Sequence, residues 1–183
     1  MSQNTVSPQS VDVDFDPTRF DGVWRLAKAD STIRDDETGQ MTAETLTDQW
    51  VERRTVGDVM DYKMHVRIAP DLTTHMEYRV RFNDTVWVPY AVTSIDGDPN
   101  DPRLAPGDGK LLKGGTIIGQ PIAWVKILYI DPWTQVRLSK NLDGTTQYIM
   151  QSRLSEDGTK LYGHVLTPGG QLIIDKHFVR ESD

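Results

Sequence analysis

Residues 60–68 read MDYKMHVRI, and residues 74–82 read THMEYRVRF. In the first stretch Met60, Tyr62, Met64, Val66 and Ile68 share one parity, with Asp61, Lys63, His65 and Arg67 between them. The second repeats the pattern, Met76, Tyr78, Val80 and Phe82 alternating with His75, Glu77, Arg79 and Arg81. Period two sends successive side chains to opposite faces of an extended strand, so each segment has one face for a core and one for water. Asp, Lys, Glu and Arg are costly to bury unpaired, so the charged faces, with His65 and His75, are expected outside.

The same reading works outward along the chain. Further strands are expected at TVWVPYAVTSI, QPIAWVKILYI, WTQVRLSK, TTQYIMQSRL, KLYGHVL and QLIIDKHFVR. Turn chemistry separates many of them: Asp131-Pro132, Asp143-Gly144, Asp157-Gly158 and Gly169-Gly170. A helix has a place only in MTAETLTDQW, residues 41–50. Nine or ten antiparallel strands in succession predict an all-β fold. A meander closed into a barrel removes exposed edges; an open two-sheet sandwich is the alternative. Residues 1–17 are polar and aperiodic and are read as a disordered N-terminal arm, leaving 18–183 as a single barrel domain. Residues 96–115 are rich in Pro, Gly and Asp. So long a connection is expected to be either a lid over a cavity mouth or a solvated insertion.

Composition narrows the function classes. The chain has 183 residues, a net charge of -7 and no Cys. That balance argues against a nucleic-acid partner, which needs a concentrated basic surface. No apolar run is long enough for a membrane helix, and the N-terminus has neither a basic start nor an apolar stretch like a signal peptide. A cytoplasmic protein without a membrane partner is expected, with a homodimer among its expected assemblies. Dinucleotide, Walker and serine-elbow motifs are absent, so no cofactor is expected. Without Cys, a metal site would need His and carboxylate ligands; His164, Asp175 and His177 are the set able to supply three, but no metal is expected.

The two ends of the chain carry a resemblance. Gly22, one residue, then Trp24 resembles the Gly-x-Trp signature that opens lipocalin-like barrels of the calycin superfamily. SRLSEDGTKLYGHVL, residues 152–166, resembles the penultimate hairpin of bacterial lipocalin-like domains. The resemblance implies a closed antiparallel barrel with a small-molecule cavity, in which Trp24 closes one end and Arg180 lies across its ring.

Which side chains face that cavity decides the chemistry. Methionines and tyrosines share strand faces, and flexible thioethers beside rigid rings suit an apolar, aromatic or cyclic guest. Tyr62, Met64, Tyr78, Tyr90, Tyr129 and Tyr148 are therefore the expected substrate-binding residues. In the last hairpin, a two-residue Gly169-Gly170 turn pairs His164 with Asp175 and Tyr162 with His177 on one side of the ribbon. If that side faces inward, His164 is a general base oriented by Asp175, with His177 or Tyr162 as acid or oxyanion donor. Placing Arg180 over an inward Trp24 gives the opposite parity, which only a bulge between 177 and 180 would reconcile. The inward orientation is the one adopted. The expected function is a cofactor-independent enzyme of lyase, isomerase or cyclase type; the alternative is a non-catalytic carrier or sensor of a hydrophobic ligand.

Overall fold

The computed structural model describes residues 14–104 and 117–182. Twelve strands follow in order: β1 (Gly22–Leu26), β2 (Thr32–Arg34), β3 (Met41–Ala43), β4 (Asp48–Val56), β5 (Val59–Ala69), β6 (Leu72–Arg81), β7 (Val88–Asp96), β8 (Pro121–Asp131), β9 (Thr134–Lys140), β10 (Thr146–Leu154), β11 (Lys160–Leu166) and β12 (Leu172–Arg180). Strand β1 and strands β4 to β12 are antiparallel neighbours in sequence order, and β12 pairs back onto β1. Ten strands thus close a barrel, and the short β2–β3 hairpin extends one rim from β12. The closed meander stands; the sandwich does not.

Helix is confined to three short 3-10 turns among the described residues. The helix expected in residues 41–50 is replaced by β3, a connector and the start of β4. Three threonines there favour extended backbone, and Glu44 ties the connector by accepting from the Leu46 amide at 2.9 Å. No helix of the described residues is long and apolar enough to cross a membrane.

One end of the barrel is plugged. The turn Pro17–Phe20 lays Phe20 and Trp24, both fully buried, over the core, and Trp24 Nε1 donates to the Phe20 carbonyl at 2.9 Å. The Arg180 guanidinium rests 4.2 Å from the Trp24 ring, as the resemblance implied. Its nitrogens donate to the carbonyls of Gly158 (3.0 Å), Arg19 (2.7 Å) and Asp21. Most of the expected N-terminal arm lies outside the described residues, but residues 14–17 are anchored. Phe15 packs edge-on against Tyr129 with ring centroids 4.8 Å apart, and the Tyr129 hydroxyl donates to the Asp14 carbonyl at 2.7 Å.

The faces of β5 and β6 follow the alternation. Met60, Tyr62, Met76, Tyr78, Val80 and Phe82 are buried, and the charged parity is outside, His65 and His75 with it.

Candidate functional site

Inside the barrel, between the plug and the open rim, lies a cavity of about 470 Å³. Its walls are mainly apolar, with Val51, Met64, Val66, Val92, Ile122, Leu161, Val165, Ile174 and Phe178 among them. Ile33, Leu46, Ile68, Arg103 and Leu104 also line it, from the open rim. Arg103 is held there by Asp71 (3.2 Å) and Asp101 (2.6 Å), and its hydrogen bond keeps the Asp101 carboxyl low, at about 2. The start of the 96–115 connection therefore reaches the mouth, whereas residues 105–116, on which the lid expectation mostly rests, lie outside the described residues.

The deep half of this apolar chamber holds two arginines. Arg137 of β9 donates Nη2 to the Tyr148 hydroxyl at 2.8 Å. Its guanidinium carbon lies 5.3–5.9 Å from the ring centroids of Tyr62, Tyr78, Tyr90 and Tyr148. Arg53 of β4 donates to Gln135 Oε1 and contacts Met60 Sδ at 3.3 Å. Among the described residues neither guanidinium has an ion-pair partner, and Arg53 Nε, Arg137 Nε, Arg137 Nη1 and Gln135 Nε2 are buried donors without an acceptor. Burial lowers the Arg53 pKa, but arginine starts so far above neutrality that both groups remain cations. Burial pushes the Tyr78 and Tyr90 hydroxyls up, so they stay neutral.

Nearer the mouth, Lys176 of β12 points inward and donates to Gln49 Oε1, with Glu44 Oε2 at 3.2 Å. Burial lowers its pKa, and the Glu44 carboxylate opposes that shift. This cation, unlike the deeper two, has its counter-charge.

Of the expected substrate-binding residues, Tyr62, Met64, Tyr90 and Tyr148 line the cavity. Tyr78 stands behind them, stacked on Tyr62 with centroids 4.5 Å apart. Tyr129 is elsewhere, fastening the plugged end. Arg53, Arg137, Gln135 and Lys176 were not anticipated.

The last hairpin needs a correction. The pairs His164–Asp175 and Tyr162–His177 form as expected, although the turn is one residue longer than assumed. A register shift next to the turn, between Val165 and Leu166, restores the pairing. Orientation goes the other way: Leu161, Gly163 and Val165 line the cavity with Ile174, Lys176 and Phe178. Tyr162, His164, Asp175 and His177 therefore face outward, and no bulge between 177 and 180 intervenes. Asp175 Oδ1 sits 3.3 Å from His164 Nε2 and 3.2 Å from His177 Nε2 on that outer wall. Tyr162 and His177 border an outer hollow beside Ala27 and Asp30. No group of three or more His, Asp or Glu side chains arranged to hold a metal is found among the described residues.

No protein-family model matches the sequence, and no curated protein matches it. Among solved structures, the chain is similar to a point variant of the fluorescent protein UnaG. The TM-score is 0.53 at 14% identity, covering 90% of this chain and 98% of that one. The chain has the calycin fold. Within this barrel Arg53 and Arg137 mark the deep end of the interior cavity.

Proposed function

We propose that the protein is a binding protein for a small amphipathic molecule, with an apolar body in the barrel and one anionic group at Arg137 and Arg53. A cavity of 470 Å³ lies in the range that encloses drug-sized ligands. Tyr62, Tyr90, Met64 and Met150 offer aromatic faces and adaptable thioethers to its body.

One observation carries the anionic head: two buried cations with unused donors and, among the described residues, no ion-pair partner. Taking an ion out of water costs several kcal/mol even after relaxation, and an unpaired one recovers little of it. A carboxylate, sulfonate or similar group supplies the missing acceptors, and charge-assisted bonds in a dry site are the strong kind. The Tyr90 hydroxyl, kept neutral by burial, helps to orient that group.

The enzymatic reading rests on acid–base groups at the cavity. With His164, Asp175 and His177 on the outer wall, Lys176 and Glu44 are the cavity's remaining acid–base pair. Their mutual ion pair suits fixing the rim at least as well as proton transfer.

Titration with anilinonaphthalene sulfonate, an apolar ring system bearing one anion, tests the proposal. One dye should bind per chain with enhanced emission, and a medium-chain carboxylate should displace it. Unsaturable binding, or a dye that carboxylates fail to displace, would overturn it.

A further inference from the structure

On the outer wall, away from the cavity, β4, β5, β6 and β7 bring together Trp50, Glu52, His65, His75 and Asp96. His65 and His75 are directly opposed across the β5–β6 ladder, and Trp50 is directly opposed to His65 across β4–β5. Trp50 stacks on the His65 ring, 4.7 Å between centroids and 14° from parallel, which fixes that imidazole's plane. The two Nδ1 atoms face each other at 2.6 Å. The outer nitrogens face carboxylates: His75 Nε2 lies 3.0 Å from Asp96 Oδ2, and the buried His65 Nε2 lies 3.2 Å from Glu52 Oε1.

A carboxylate beside Nε2 selects the tautomer with the proton on Nε2. Asp96 so holds His75, whose Nδ1 then presents a lone pair; His65 Nε2 makes no hydrogen bond to Glu52, so His65 carries its proton on Nδ1 and donates it to His75 Nδ1 across the 2.6 Å contact. A metal ion that displaces that one proton would find two imidazole nitrogens converging on the same point, with carboxylates at 3.0 and 3.2 Å from the far nitrogens. Imidazoles whose far nitrogens are held by carboxylates are the usual ligands of late first-row metals.

We propose that His65 and His75 bind one divalent late first-row metal ion through Nδ1, with Glu52 and Asp96 orienting the rings and water completing the coordination. Two nitrogens on one tetrahedral zinc, each about 2.0–2.1 Å from it, are about 3.3 Å apart. The rings must therefore separate by roughly 0.7 Å from their present 2.6 Å, a small rotation for two side chains on adjacent strands. Both histidine side chains keep some exposure, 13% and 18%, so water has access. Lys63, Arg25 and Arg67 also lie on this wall, the two arginines over the Trp50 ring. They weigh against hard cations that carboxylates alone would hold.

The test is calorimetric titration of the full chain with Zn²⁺ and Cu²⁺, using Mg²⁺ and Ca²⁺ as hard-ion controls. One equivalent of Zn²⁺ or Cu²⁺ should bind, and neither hard ion should compete. His75→Gln and His65→Gln should each abolish the site. Asp96→Asn should weaken it by about tenfold or more, as loss of an orienting partner does. The Cu²⁺ complex should show two nitrogen ligands by electron paramagnetic resonance, which remains readable if one variant folds poorly. His164→Ala and His177→Ala should leave the stoichiometry unchanged. No Zn²⁺ or Cu²⁺ binding, or binding removed by the His164 and His177 variants rather than by those of His65 and His75, would overturn the proposal.

Discussion

The inner face of β9 and the outer face of the β11–β12 hairpin carry similar chemistry in opposite settings. On β9, Gln135, Arg137 and Ser139 point into the barrel and are buried, while Val136 and Leu138 face out and remain half-exposed. On the hairpin, His164, Asp175 and His177 stay roughly a third exposed, with both imidazoles within ion-pair distance of the one carboxylate. A polar group paired with neighbours and water contributes little either way. A cation held dry without a counter-charge is destabilising in the free protein and calls for a partner. The polar wall that matters is therefore the one that looks like a mistake in the alternation.

The largest stability effect should come from removing that cation. Arg137→Met replaces an unpaired buried charge with an apolar chain of similar reach, and should stabilise the ligand-free protein by about 1–4 kcal/mol. Urea unfolding of the ligand-free protein checks the sign. Marked destabilisation would mean that Arg137 is a structural group already satisfied in the fold, and the contrast between the two walls would fail.

A smaller effect of opposite sign is expected at the plug. Arg180→Ala withdraws donors from the carbonyls of Gly158, Arg19 and Asp21 and uncovers the Trp24 ring. Each lost bond costs on the order of 1 kcal/mol, discounted for partial exposure, so a loss of about 1–2 kcal/mol is expected. The same unfolding experiment reads it, and a loss below about 0.5 kcal/mol would make the cation–aromatic closure decorative.

The outer hairpin should give the least. His164→Ala should change stability by less than about 0.5 kcal/mol and leave dye affinity unaltered. A large drop in dye affinity would place this wall in contact with the binding site.

Much of the barrel was legible because β5 and β6 alternate cleanly and turn residues punctuate the rest. The parity of Tyr62, Tyr78, Tyr90 and Tyr148 also pointed to the interior. That rule failed at Tyr162 for a local reason. The inward neighbour on β11 is Gly163, where an added Cβ would lie 3.1 Å from Met150 Cε and 3.7 Å from the Lys176 carbonyl. A glycine carries no hydropathic signal, and on β12 the inward Lys176 reads as polar, so the apolar parity of Leu161, Val165, Ile174 and Phe178 is interrupted at the middle of both strands. Trp24 and Arg180 held the better clue, because their pairing across the β1–β12 seam sets the parity of the whole last strand. The arginines were invisible for the same reason that β9 reads inside out. Alternation assumes that the buried face is apolar, and the buried Gln135, Arg137 and Ser139 of β9 violate that assumption.

The central claim is an anionic head group at Arg137, and a matched pair of ligands tests it most directly. Decanoate and decanol share an apolar chain and differ in the charged end; calorimetry gives both affinities for the wild-type protein and for Arg137→Met. The account predicts that the wild type prefers decanoate by at least about thirtyfold, the equivalent of about 2 kcal/mol for a buried charge pair. In Arg137→Met that preference should collapse while decanol binding is nearly unchanged. Equal affinities in the wild type, or a preference for decanoate that survives the substitution, would contradict it.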